Sequence, residues 1–339
     1  MREDTLTLGW AVLGTGRVAD RMTEAIRRAD GATPVVVLSR DPARGRAFAD
    51  KHGVTGVATD LSALLTDDAV DVVYVASPNA AHEEQVTAAA AAGKHVLCEK
   101  PLAMTAAACR SMIDACARAG VVLGTAFQFR HAPAHLLLRD LVATGALGRP
   151  VLADAAVSVP GGLGAPRWYA DPNLAGGGIL PMSGVHRIDL LRFVLGAEVA
   201  EVAAMIDPGR DVRPDEQTAV VVLRFTDGTL ATLRCAFGAG PGGDPVTVHG
   251  TAGSAEGTGT TAQWWGADGG RIRLRLGGSD TETTFDRADL YLRQVDDFCA
   301  AVRDGKPPAA TGADGLRAAC VVEAVYTAAA TGATVAVES

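Results

Sequence analysis

The stretch Leu8-Gly9-Trp10-Ala11-Val12-Leu13-Gly14-Thr15-Gly16-Arg17-Val18-Ala19 decides the reading of this chain. A short apolar run breaks at Gly14-Thr15-Gly16. After the break Val18, Met22, Ala25, Ile26 and Ala29 recur three and four apart, as on a buried helix face. The result is G-x-G-x-x-A set between a strand and a helix. Gly14 permits a tight turn, Gly16 lets the backbone approach a pyrophosphate, and Ala19 is small enough for close helix–strand packing. The helix start adds free N–H groups and a positive dipole end. Glycine turns also arise for packing reasons alone. This one opens a strand–helix–strand unit, which favours dinucleotide binding.

Outward from that turn the alternation continues. Residues 33–38 form a second β-rich run. Asp41-Pro42 is a cap followed by a proline, the start of a helix that stops at Gly53. Residues 71–76 read as a buried strand and 80–92 as an alanine-rich helix ending at Gly93. Then come 95–98 as a strand, 105–119 as a helix and 121–127 as a strand. Strands this uniformly apolar, joined by helices, imply an α/β fold whose parallel sheet is covered on both faces. That is a doubly wound dinucleotide-binding architecture, with ligands at the carboxyl ends of the strands.

After about residue 150 the pattern changes. A Gly- and Pro-rich loop (160–166) and Gly176-Gly177-Gly178 precede one helix, 182–195. Runs at 219–225 and 230–237 flank Asp227-Gly228, a hairpin turn signal. Helical spacing returns at 289–304 and 313–330. The pattern divides the chain into a doubly wound domain over 1–127 and a sheet-containing domain over 128–339, whose sheet is antiparallel or mixed.

The totals restrict function. A chain of 339 residues suits two domains, and 48% hydrophobic with 21% charged residues is globular. A net charge of -8 argues against nucleic acid or an anionic membrane as partner. The six cysteines form no C-x-x-C pair and several lie among apolar residues, so nothing asks for an oxidising compartment. With no signal-peptide core and no membrane-length apolar segment, a cytoplasmic protein is expected. His131 and His135 stand four apart, but Pro133 interrupts them and no third ligand joins; no metal is expected. Trp264-Trp265 reads as core or interface.

Cofactor choice is read from the end of the second strand. An acidic residue there would hold both ribose hydroxyls and favour NAD(H). The chain has Ser39-Arg40-Asp41, and a hydroxyl with a guanidinium suits a 2′-phosphate. NADP(H) is therefore favoured, with NAD(H) left open, since Arg40 could be solvated and Asp41 a helix cap.

Further stretches resemble the glucose–fructose oxidoreductase and inositol dehydrogenase (Gfo/Idh/MocA) family, and within it the anhydrofructose reductase and sugar dehydrogenase branch. They are Ser77-Pro78-Asn79 with His82; Gly93-Lys94-His95-Val96-Leu97-Cys98-Glu99-Lys100-Pro101, similar to the family's Glu-Lys-Pro signature; and Trp168, the triple glycine, His186 and Asp189. The likeness runs nearly end to end, as far as Ala310-Thr311-Gly312-Ala313-Asp314-Gly315. It implies a Rossmann domain over 1–127 followed by a substrate-binding and oligomerisation α/β domain over 128–339 with a large, mostly antiparallel open sheet, a cis peptide before Pro101, and a catalytic Lys100 assisted by His186. It also implies a cofactor set of Gly14, Thr15, Gly16, Arg17, Val18, Ser39, Arg40, Ser77, Pro78, Asn79, His82, Glu99, Lys100, Gln128 and Trp168. Tyr169, Met182, His186 and Asp189 fall on the substrate side. Met182 stands where the family usually has an aspartate, and Tyr169 where the reductase branch tends to carry arginine.

The expected activity is hydride transfer between NADP(H) and a secondary alcohol or ketone of a sugar-like or cyclic polyol, by a homodimer or homotetramer. Imine reduction, a cofactor-assisted elimination and non-catalytic dinucleotide sensing are the alternatives.

Overall fold

The computed structural model describes residues 7–160, 167–207, 216–239, 243–261 and 269–338. Residues 161–166 of the Gly- and Pro-rich loop, and Trp264-Trp265, lie outside the described residues. The chain divides into two units. The first runs to Gln128 and takes in Leu290–Leu316; the second holds Phe129–Asp289 and the chain from Arg317 onward.

In the first unit β1 (Leu8–Leu13), α1 (Arg17–Arg28), β2 (Ala32–Leu38), α2 (Pro42–His52), β3 (Gly56–Ala58), α3 (Leu61–Leu65), β4 (Val72–Val75), α4 (His82–Ala91), β5 (His95–Cys98), α5 (Ala106–Ala119) and β6 (Leu123–Thr125) follow in turn. Among the described residues the strands pair in the order β3-β2-β1-β4-β5-β6, all parallel. The order reverses on either side of β1, which places a crevice beyond the carboxyl ends of β1 and β4. Every residue of β1 and β4 is buried, Trp10 and Tyr74 included. The apolar runs therefore form the centre of the sheet, as their lack of alternation requires.

The second unit contains α6 (Pro133–Ala143), β7 (Pro150–Val159), α7 (Pro172–Ala175), α8 (Val185–Leu195), β8 (Val199–Ile206), β9 (Thr218–Phe225), β10 (Leu230–Phe237), β11 (Val246–Gly250), β12 (Gly253–Thr258), β13 (Arg271–Leu276) and β14 (Ser279–Thr284). Beyond them come α9 (Leu290–Asp304), α10 (Gly312–Thr331) and β15 (Val335–Ala336). The described strands of the second sheet run β14-β13-β12-β11-β7-β10-β9-β8-β15. Among the described residues only β7 and β10 pair in parallel; the other pairs are antiparallel. Strand β9 alternates strictly. Ala219, Val221, Leu223 and Phe225 are buried, whereas Val220 and Val222 keep 48% and 46% of their surface. Helix α8 packs on β7, and α6 on β12 and β13. On the outward face Val222 pairs with Ala203 and Thr232, and Val220 with Met205, which is 81% exposed.

Two differences from the sequence reading have physical causes. Residues 290–316 belong with the first unit, where the sequence reading placed everything after 127 in the second domain. Phe298 of α9 meets Trp10 edge-on at 5.6 Å, Arg303 Nη2 donates to the Gly31 carbonyl at 2.6 Å, and Thr125 N–H donates to the Ala310 carbonyl at 3.0 Å. Helical spacing predicts that α9 exists but not which core it covers. The helix expected over 182–195 opens instead with a π turn, Leu180–Gly184, ahead of α8. Val185 N–H reaches back five residues to the Leu180 carbonyl, and Pro181 has no N–H to offer.

Candidate active site

At the glycine turn Gly14 has φ +118°, and a Cβ there would lie 2.8 Å from the Ala76 carbonyl oxygen. Only glycine lets the turns after β1 and β4 approach this closely. Gly14 N–H donates to the Leu38 carbonyl at 3.0 Å and Ala76 N–H to Leu13 at 3.0 Å, which locks the ends of three strands together. Gly16 begins α1 with open space where a side chain would project. Helices α2, α3 and α5 take side-chain caps from Asp41, Asp60 and Thr105, but α1 has none. Thr15, Arg17 and Val18 flank an uncapped N-terminus over an open cradle. Both features fit a dinucleotide pyrophosphate.

At the end of β2 the buried Ser39 hydroxyl donates to the Asp41 carbonyl at 2.8 Å, while the Asp41 carboxylate accepts the Ala43 and Arg44 N–H groups. Asp41 is thus the cap of α2. Arg40 is exposed. A second arginine, missed in the sequence, completes the corner: Arg44 Nη2 donates to Thr15 Oγ1 at 3.1 Å. The cap at Asp41 fixes the start of α2 and hence puts Arg44 in its first turn, the one signal that could have found it.

At the ends of β4 and β5 the Lys100–Pro101 peptide is cis, as the resemblance implied. The Tyr74 hydroxyl donates to one Glu99 oxygen at 2.6 Å and the Lys100 N–H to the other at 3.2 Å. Burial pushes the Glu99 carboxyl up, against the pull of Lys100 and Tyr74. Burial also draws the half-buried Lys100 ammonium below an ordinary lysine, with Glu99 opposing.

His82 was expected to face the cofactor. It is instead wholly buried, with Nδ1 at 3.0 Å from the Pro101 carbonyl and Nε2 at 3.1 Å from that of Ser77. It ties the turn after β4 to the segment after Lys100. Ser77 donates to Gln85 at 2.7 Å, Pro78 heads the next turn, and Asn79 and Gln128 are buried.

The residues expected on the substrate side, Tyr169, Met182, His186 and Asp189, lie in the second unit, as does Trp168, expected with the cofactor set. Its ring stacks on Tyr169 at 4.0 Å and 21°. Met182 sits half-buried on the π turn. His186, in the first turn of α8, is 8% exposed and packs its ring 4.7 Å from Phe129. Asp189 is buried and turned to arginines. Its carboxylate accepts Arg130 Nε at 2.9 Å and Nη2 at 2.6 Å, with Arg192 Nη1 at 3.4 Å. A carboxylate this deeply buried needs cationic partners, and Arg130, 59 residues away, gave no local sign of being one. His135 lies 2.8 Å from both the Phe129 carbonyl and Thr260 Oγ1, and burial lowers its pKa to about 4.

Residues 8–127 match an oxidoreductase family with an NAD-binding Rossmann fold, and residues 135–256 match the GFO/IDH/MocA C-terminal domain. The chain is 37% identical to a 1,5-anhydro-D-fructose reductase from Ensifer adhaerens, over 97% of this chain and 98% of that one. The chain belongs to the GFO/IDH/MocA oxidoreductase family. It is 31% identical to a D-xylose 1-dehydrogenase (NADP(+)) from Haloferax volcanii, over 96% of this chain and 98% of the relative. In three dimensions it is similar to an aldose-aldose oxidoreductase from Caulobacter crescentus complexed with glycerol. The TM-score is 0.90 at 29% identity, covering 97% of this chain and 99% of that one.

As a family member the protein is an NAD(P)-dependent oxidoreductase. Two polar residues were not singled out in the sequence, Arg44 and Arg130. Each acts through a partner distant in the chain, and only Arg44, by way of the Asp41 cap, left a local sign.

Proposed function

We propose that this protein transfers a hydride between NADP(H) and a secondary alcohol or ketone of a sugar-like or cyclic polyol, with Lys100 as the proton-transfer group. The observation that carries this reading is the half-buried Lys100, set beside Glu99 on the same sheet whose β1 turn forms the open, uncapped phosphate cradle. The cofactor supplies hydride donor and acceptor chemistry at its nicotinamide. In reduction the carbonyl oxygen gains negative charge, and the Lys100 ammonium donates the proton that quenches it. In oxidation neutral Lys100 takes the proton back, and its depressed pKa makes that form accessible.

His186 gives the substrate oxygen a second hydrogen bond. Met182 offers a thioether that accepts only weakly, so substrate contact there is apolar. Gln128 and Trp168 contribute to the cofactor site and Tyr169 to the substrate site. Ser39, Arg40 and Arg44 support NADP(H), since Arg44 already leans over the glycine turn. The sugar-like substrate class is supported by what the relatives are named for. Met182 in place of the family aspartate is the one feature that favours imine reduction or cofactor-assisted elimination instead.

The outward face of the second sheet, with Met205, Val220, Val222 and Leu230 exposed, supports assembly as a homodimer or homotetramer. The six cysteines are buried thiols, which supports a reducing compartment such as the cytoplasm. Among the described residues no helix is long and apolar enough to cross a membrane.

Purified protein is to be incubated with NADPH or NADH and 1,5-anhydro-D-fructose, and with NADP+ or NAD+ and D-xylose, while nicotinamide absorbance is followed. Turnover with at least one carbohydrate, faster with the phosphorylated cofactor, is expected. Tight NADPH binding without turnover across a wide carbohydrate panel would favour a sensor.

A further inference from the structure

We propose that Glu216 is a positioning residue for the substrate side, clamping the run 176–182 and so fixing the π turn that carries Met182 and leads into His186. The inference rests on the reading of that segment given above. Glu216 is 5% exposed and stands just before β9. Gly178 N–H donates to its Oε2 at 2.8 Å and Leu180 N–H to its Oε1 at 2.9 Å. Ile179 N–H donates to its backbone carbonyl at 3.1 Å. Three consecutive amides therefore end on one residue.

The Tyr326 hydroxyl of α10 also donates to Oε1, at 2.9 Å, so that this oxygen accepts two hydrogen bonds. Gly177, at φ +142°, passes so close to that hydroxyl that a Cβ would overlap it. The segment is thus shaped around the clamp.

The physical need is plain. The π turn and α8 form one continuous helical run, and its first N–H groups have no acceptor within the helix. No side chain at the start of the run caps it. Glu216 supplies the acceptors from 36 residues away, and its negative charge suits the positive end of the run.

The clamp does more than stabilise. A π turn holds one residue more than an α turn, and expelling that residue rotates everything before it by about 100° relative to everything after. Met182 lies inside the turn and His186 just beyond it. With Gly178 and Leu180 gripped, the extra residue cannot be expelled. The two side chains then keep a fixed relative direction, which an apolar contact at Met182 paired with a hydrogen bond from His186 requires.

The test uses full-length Glu216→Gln and Glu216→Ala. Gln keeps the volume but turns an amide NH2 toward one of the two N–H donors, so it tests the clamp even if the Ala variant does not fold. Hydrogen exchange at amides 178–180 should accelerate by about tenfold or more, while the β9–β10 hairpin stays protected. NADPH affinity should hold within about twofold, and kcat/KM for 1,5-anhydro-D-fructose should fall by about tenfold or more. Tyr326→Phe, which spares both amide bonds, should show a smaller version of the same pattern.

Unchanged exchange at 178–180 in folded Glu216→Gln would overturn the clamp. Faster exchange with unaltered kcat/KM would overturn its positioning role, as would an equal loss of protection throughout the second unit. Wild-type protein inert toward the probe would strike the functional reading instead, and exchange alone would then decide the clamp.

Discussion

At the scale of single residues the proposed hydride transfer depends on Lys100. Lys100→Ala should lower turnover by about 10²-fold or more with NADP(H) affinity little changed, and His186→Ala should cost less. Normal turnover in both variants would move the proton donor elsewhere, with Tyr169 next in line. The pH dependence has a definite sign. Burial lowers the Lys100 pKa, so the ammonium needed for reduction is lost, as pH rises, earlier than from an exposed lysine. Ketone reduction should therefore decline with rising pH over the same window in which alcohol oxidation climbs. Opposed profiles for wild type, flattened in Lys100→Ala, are expected; matching profiles would contradict the assignment. For the cofactor, Arg40→Ala and Arg44→Ala should each weaken NADP(H) binding by about tenfold while sparing NAD(H), since a charged hydrogen bond contributes about 1.5–3 kcal/mol. Equal losses for both cofactors would return the preference to NAD(H). Ser39-Arg40 was legible because it directly follows a strand, whereas Arg44 becomes visible only once α2 folds its first turn against Thr15.

At the scale of elements, α8 is held by buried ion pairs from Asp189 to Arg130 and Arg192. Arg130→Ala would leave the Asp189 carboxylate buried without its main cation, costing about 3–5 kcal/mol of stability. Urea denaturation measures this directly, and a loss below about 1 kcal/mol would show that Arg192 suffices. The same pair shows where sequence reading stops. His186 and Asp189 lie three apart on one helix, and the family resemblance puts both on the substrate side. Burial then turns Asp189 to an arginine from the segment before α6, and no periodicity encodes that choice. His82 behaves alike: its turn is recognisable, but the carbonyls of Ser77 and Pro101 on either side of its ring come from separate loops. By contrast the strand–glycine–helix unit was fully legible, because β1, Gly14 and α1 are contiguous and each is specified by its own residues.

At the scale of the whole molecule the alternation of apolar strands and helices announced the parallel sheet, and the Asp227-Gly228 turn announced the β9–β10 hairpin. The return of α9 to the first unit was not legible, since the fit of Phe298 against Trp10 joins residues at opposite ends of the chain. The outward face of the second sheet carries the prediction proper to this scale. Light scattering at micromolar concentration should give a dimer or tetramer, and Val220→Asp with Val222→Asp should shift it toward monomer with the fold intact. A wild-type monomer would contradict that assembly. The central claim, hydride transfer onto a carbohydrate carbonyl, is tested most directly by isotope. Protein given 1,5-anhydro-D-fructose and NADPH deuterated at the transferring position of nicotinamide C4 should yield a reduced product with a single deuterium on the carbon that bears the new hydroxyl. A product formed without that deuterium, or a dehydrated product with the cofactor unconsumed, would contradict it.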